Sequence, residues 1–157
     1  MQIEIGDGRS IVVDTPFLSA GPGDTEEWGR RLGATLPCGI VVGLSGGLGA
    51  GKTLLAGAIF HGAGLDREVH VTSPTFGIMN RYPAPLPLHH VDLYRLASAR
   101  EAHAAGVVEI LVDPGNGIVV VEWFEKFPEI HPPCWLRIGI EILDGGRRRI
   151  EAGGPNA

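Results

Sequence analysis

The alternation of apolar and polar positions divides the chain into short elements. Ile3 and Ile5, then Gly6-Asp7-Gly8, then Ile11 and Val13 read as two short strands joined by a tight turn. Pro16 and the Gly21-Pro22-Gly23 stretch end that unit. The spacing then becomes helical. Trp28, Leu32 and Leu36 recur on one face, Glu26 and Glu27 occupy the first turn, and Asp24 or Thr25 stands where a cap belongs. Pro37 stops the helix.

Ile40 to Leu44 has the composition of a buried strand. It runs into a glycine-rich loop and then into a helix over Lys52 to Phe60, with Leu54, Leu55, Ala58 and Ile59 along it. Val69 to Thr72 and Ile78 to Tyr82 read as short strands, and Leu86 to Val91 as a third that ends near Asp92. Leu93 to Ala105 has helical character. The unbroken β-branched run Ile118 to Val121, ending in Glu122, predicts a central strand buried on both faces. Leu136 to Leu143 alternates, turns at Asp144-Gly145-Gly146, and returns over Arg147 to Ala152. Strands alternate with helices in the first half and dominate the end. This order predicts an α/β domain with a mixed central β-sheet and flanking helices, spanning 1–157 as one unit with an N-terminal hairpin over 1–15.

Composition narrows the picture. At 157 residues the chain is long enough for one real core. Its net charge of −5 argues against autonomous binding to nucleic acid, which needs clustered cations. The one local basic run, Arg147-Arg148-Arg149, reads as a solvated strand or turn. Cys38 and Cys134 match no metal spacing and read as free thiols of a reducing compartment. The N-terminus lacks the pattern of a signal peptide, and no apolar run approaches the ~20 residues of a membrane span. The expected location is the cytoplasm.

The chemistry lies in the glycine loop. Gly46-Gly47-Leu48-Gly49-Ala50-Gly51-Lys52-Thr53 satisfies G-x-x-x-x-G-K-[ST], between a predicted buried strand and a predicted helix. Glycines let the backbone curl until several N–H groups point at one phosphate. The helix adds its unpaired N-terminal donors and the positive end of its dipole. Lys52 then reaches the β and γ phosphates of a nucleotide, and the Thr53 hydroxyl coordinates magnesium. Such a site also needs an acid at a strand end. Glu122 and Asp92 are the two candidates, and Asp92 equally suits a helix cap before Leu93. Ser73-Pro74-Thr75-Phe76 is either a loop that senses the γ-phosphate or an ordinary proline turn.

The set GLSGGLGAGKT, VTSPTF, HVDLYRL and VVEW, in this order and at these separations, resembles the TsaE (YjeE) family. The likeness covers about Thr25 to Glu125 and extends more loosely to Gly153. HxDxYR with VEW separates this pattern from kinases and GTPases, and no NKxD-type guanine motif is present. The resemblance implies a small ATPase that uses ATP and Mg²⁺ and works with the TsaB–TsaD pair, which makes threonylcarbamoyladenosine in tRNA. On it, tRNA is met only through that complex, and hydrolysis resets the complex between turnovers. Lys52 then looks like the phosphate-binding lysine, Thr53 and Glu122 the magnesium ligands, and Asp92 a water-orienting acid. Ser73, Pro74 and Thr75 look like the switch region. Thr25 resembles a threonine that opens the family's first helix, near the adenine. The chain departs from the family where Gly47 replaces an Asp and Leu54 replaces a second Thr beside the motif threonine. Gly47 keeps the N–H donors of the cradle and removes a charge. Leu54 keeps its backbone N–H and loses a hydroxyl for the α-phosphate. Two other classes stand beside this reading: a nucleotide-dependent binding scaffold with little hydrolysis, and a small-molecule P-loop kinase, for which the chain has little room to build an arginine-bearing lid.

Overall fold

The computed structural model describes residues 1–75 and 77–156. Its strands are β1 Gln2–Gly6, β2 Arg9–Val12, β3 Phe17–Ser19, β4 Ile40–Gly46, β5 Met79–Tyr82, β6 Leu88–Asp92, β7 Ile118–Glu122, β8 Trp135–Ile142 and β9 Arg148–Gly153. Its α-helices are α1 Pro22–Thr35, α2 Lys52–Gly62, α3 Ala99–Ala104 and α4 Val107–Val112. Seven strands form one sheet in the order β3-β9-β8-β4-β7-β6-β5. The inner four, β8, β4, β7 and β6, are parallel, and the outer strands pair antiparallel. The expected mixed sheet with flanking helices is therefore present.

Strand periodicity sorts the core into two faces. Ile40, Val42 and Leu44 of β4 join Ile118 and Val120 of β7 beneath α1 and α2. Val41, Val119 and Val121 face the other way, onto Leu111 of α4 and Phe124. The run Ile118–Glu122 is buried throughout, as its composition predicts. The same period-two rule puts Glu122 on the α2 face, with Val120. On β6 it puts His90 and Asp92 there too, with Leu88.

Helices α1 and α2 meet through small residues. A Cβ on Gly33 would run into the Ile59 carbonyl, and one on Gly62 into the Arg30 carbonyl. Backbones can approach this closely only where no side chain intervenes. The contact holds α2, and the loop that precedes it, against the rest of the domain.

Several expectations need correction. Helix α1 starts at Pro22 after Gly21, so neither Asp24 nor Thr25 is its cap. Proline lacks an N–H and has its φ preset, which suits the first helical position. The segment after the cis Thr15–Pro16 peptide is a strand, β3, paired with β9. Three residues carry too little periodicity to reveal it. Val69 to Thr72 is not a strand. The Tyr82 hydroxyl satisfies both the N–H and the C=O of Thr72, at 3.2 and 3.3 Å, in place of a ladder. The helical stretch after Leu93 begins only at Ala99, and Gly106 at φ +78° divides it from α4. The hairpin β1–β2 is a separate two-stranded sheet, yet Ile3, Ile5, Ile11 and Val13 are buried in the main core. No described helix is long and apolar enough to cross a membrane. Both cysteines are free.

Candidate functional site

The loop between β4 and α2 adopts backbone angles that glycine permits. Gly46, Gly49 and Gly51 have φ of +149°, +75° and +104°. A Cβ on Gly46 would also lie 2.6 Å from the Ile140 carbonyl oxygen. Gly47 differs: a Cβ there would meet nothing within 4 Å. Ala50 is buried beneath the loop, while Leu48 is exposed at its tip. The loop, Lys52, Thr53 and Leu54 border a pocket of about 380 Å³, closed on the far side by Ser73, Asp92, Tyr94, Glu122 and Trp123.

Lys52 is 5% exposed, and its ammonium donates to the carbonyls of Gly46 and Gly47 at 2.8 Å each. The same nitrogen lies 4.1 Å from the centroid of the Trp123 ring. Burial lowers its pKa, opposed by the charges of Glu122, Glu125 and Asp92.

Two elements converge on Thr53 of α2. Its hydroxyl lies 3.0 Å from each Glu122 oxygen and 2.9 Å from Ser73 Oγ. With its one proton directed to the carboxylate, Thr53 accepts from the Ser73 hydroxyl. Glu122 is in turn fixed by His90, whose Nε2 donates to Oε2 at 2.6 Å. That bond assigns the ring hydrogen to Nε2, and the buried Nδ1 has no partner. His90 is fully buried, with its ring edge against Phe60.

Asp92 faces Glu122 directly across the parallel β6–β7 pair. Its Oδ1 accepts the Tyr94 N–H at 2.9 Å, so the carboxylate does shape the turn that follows it. Burial is the first cause of its raised pKa, and the Glu122 charge adds to it; the Tyr94 bond, His90 and Lys52 pull the other way. Asp92 also borders a second pocket of about 460 Å³, formed with Ser73, Pro74, Thr75, Gly77, Ile78, Tyr94 and Arg95. Arg95 donates to the Thr75 carbonyl at 2.6 Å and so ties the Ser73–Thr75 segment to the turn after β6. Phe76 lies outside the described residues.

The structure thus brings Lys52, Thr53, Glu122, Asp92 and Ser73 around one pocket. Thr25 stands apart from it. Its side chain is buried between β3 and α1, with Oγ1 2.8 Å from Ser19 Oγ. Three neighbours of the site had no assigned role: His90, Trp123 and Arg148. His90 was detectable in principle, two residues before Asp92 on the same strand face. Trp123, at φ +58°, turns back over Lys52. Arg148 reaches the loop from β9, a long-range contact with no local signal.

Comparison with known proteins agrees with this architecture. The profile of the threonylcarbamoyl adenosine biosynthesis protein TsaE matches residues 19–150. The chain is similar to the tRNA threonylcarbamoyladenosine biosynthesis protein TsaE of Treponema pallidum, 38% identical over 127 residues, 81% of this chain and 91% of that one. It is also similar to the protein of that name from Mycobacterium tuberculosis, 42% identical over 134 residues, 81% of this chain and 79% of that one. Among solved structures, Bacillus subtilis YdiB superimposes with a TM-score of 0.67 and 27% identity, over 93% of this chain and 90% of that one. With a profile match over most of its length and relatives of this similarity, the chain belongs to the TsaE family, which acts in tRNA threonylcarbamoyladenosine biosynthesis.

Proposed function

We propose that this chain is the ATP-hydrolysing subunit of tRNA threonylcarbamoyladenosine modification, a single cytoplasmic P-loop domain that acts as a switch on a TsaB–TsaD complex. It meets tRNA only through that complex. The observation that carries the reading is the convergence on the Thr53 hydroxyl of Glu122 from β7 and Ser73 from the loop before β5, with Asp92 opposite Glu122. A glycine turn with a stray lysine has no reason to assemble these groups.

The donors present suit magnesium. Thr53 and Glu122 offer hard oxygens, and magnesium is ordinarily held by one or two protein oxygens, substrate phosphates and water. No cluster of three or more His, Cys, Asp or Glu suited to a metal is found among the described residues, and this mode of binding requires none. When bound, the ion neutralises charge on the β and γ phosphates. Loop N–H groups cradle the phosphates, and Lys52 exchanges its carbonyl partners for phosphate oxygens. Asp92 accepts a hydrogen bond from the attacking water and aligns it. The Ser73–Thr75 segment closes on the γ-phosphate and relaxes after hydrolysis.

The test is phosphate release by the purified chain, alone and with TsaB and TsaD, with Glu122→Ala as control. Stimulation by the partners that the substitution abolishes is the expected result. ATP binding without hydrolysis in either condition would replace this reading with a nucleotide-dependent scaffold. Unchanged ATP affinity in Lys52→Ala would remove the glycine loop from the site.

A further inference from the structure

We propose that Arg148 is a positioning residue for the phosphate loop: it holds the Gly49 and Ala50 carbonyls toward β9, so that the amide hydrogens of those peptide units point into the curl of the loop. The inference rests on the nucleotide-binding reading above.

Strand alternation separates the three arginines. Arg148 shares a face of β9 with the buried Ile150, whereas Arg149 faces away and pairs with Glu151 at 2.6 Å. Arg147 donates to the Asp144 carbonyl in the preceding turn. Of the three, only Arg148 hydrogen-bonds the loop, with Nε 3.1 Å from the Ala50 oxygen and Nη2 3.2 Å from the Gly49 oxygen. Its Nη1 donates to the Gly146 and Arg147 carbonyls at 3.0 and 3.1 Å, which anchors the guanidinium to its own turn.

In a trans peptide the C=O and N–H point in opposite directions. Holding the Gly49 and Ala50 carbonyls toward β9 therefore aims the Ala50 and Gly51 N–H groups to the other side. The Ala50 N–H points to the Gly47 carbonyl at 3.2 Å, across the curl of the loop. Lys52 holds the Gly46 and Gly47 carbonyls from within. A phosphate competes with those carbonyls for Lys52, which lines the pocket, whereas Arg148 does not line it. Its restraint therefore persists when the pocket is filled. Arg148 serves the two loop carbonyls and two carbonyls of its own turn from three nitrogens set apart in one plane. A lysine's single nitrogen can bridge two neighbouring carbonyls, as Lys52 does, but cannot hold the loop and the turn together from this position.

The experiment measures ATP–Mg²⁺ affinity by calorimetry and amide hydrogen exchange for wild type, Arg148→Ala, Arg148→Lys and Arg147→Ala. Arg148→Ala should weaken ATP binding about tenfold, the effect of losing hydrogen bonds that order the cradle. Exchange should quicken at Ala50 and Gly51 while the β8–β9 amides keep their protection. Arg148→Lys should also bind weakly, and it carries the test if the alanine variant unfolds. Arg147→Ala should bind as wild type does. Affinity of Arg148→Ala within about twofold of wild type would overturn the inference alone. Full affinity in Arg148→Lys would overturn the clamp between loop and turn. Failure of the wild type to bind ATP would overturn the functional reading together with it.

Discussion

His90 and Glu122 form a buried pair on neighbouring parallel strands, with Nε2 2.6 Å from Oε2. Each is almost without solvent contact, at 0% and 4% side-chain exposure. The bond leaves Glu122 Oε1, with Oε2, turned toward Thr53. His90→Ala removes the donor and leaves a buried carboxylate without it. This should cost about 3 kcal/mol, measured by urea denaturation. Stability within about 0.5 kcal/mol of wild type would mean that the pair contributes nothing.

Asp92 has a raised pKa in the folded state, so its ionised form is disfavoured there. The stability this group contributes is present below its unfolded pKa and is lost as pH rises through the folded pKa. Above the ordinary carboxylate range the raised pKa of this half-buried group is therefore a net cost to the folded state. Asp92→Asn, whose amide oxygen still accepts the Tyr94 N–H, should melt at a higher temperature than wild type at pH 7. The difference should disappear as pH falls below the ordinary carboxylate range. Wild-type ATP hydrolysis should rise with pH above that range and lose this rise in Asp92→Asn. An unchanged profile would remove Asp92 from the chemistry.

At the α1–α2 contact, the neighbour facing Gly33 is the backbone of Ile59, which cannot rotate away as a side chain can. Gly33→Ala should therefore destabilise the protein by about 1–3 kcal/mol despite the better helix propensity of alanine. Thermal unfolding reads this directly, and a gain in stability would show that the helices can separate at no cost.

The two departures from the family pattern should behave differently. Gly47 has open space where a side chain would stand and no positive φ, so Gly47→Asp should fold with stability within about 0.5 kcal/mol of wild type. Leu54 borders the pocket, and Leu54→Thr should raise ATP affinity by up to about tenfold through one added phosphate hydrogen bond. Calorimetric titration checks the second. An unchanged affinity would mean that the backbone N–H alone serves the α-phosphate.

The parts legible in the chain were those set by near neighbours. The glycine-rich loop before α2, the buried run Ile118 to Val121 and the turn at Asp144-Gly145-Gly146 all declare themselves within a few residues, through glycine spacing and side-chain period. Glu122 and Asp92 were likewise found as acids at strand ends, because burial of the preceding residues places the strand end. Other features depended on pairing across the fold. Thr53 and Glu122 are 69 residues apart and Arg148 and Gly49 are 99 apart, so no local preference records either contact. Strand β3 exists because β9 offers it an edge, and Val69 to Thr72 stays irregular because Tyr82 takes its hydrogen bonds. Local propensity acts over a turn of helix or a few strand positions. The register of distant strands is decided only when both faces of the sheet are packed at once, and that packing brings His90, Glu122 and Thr53 into one line.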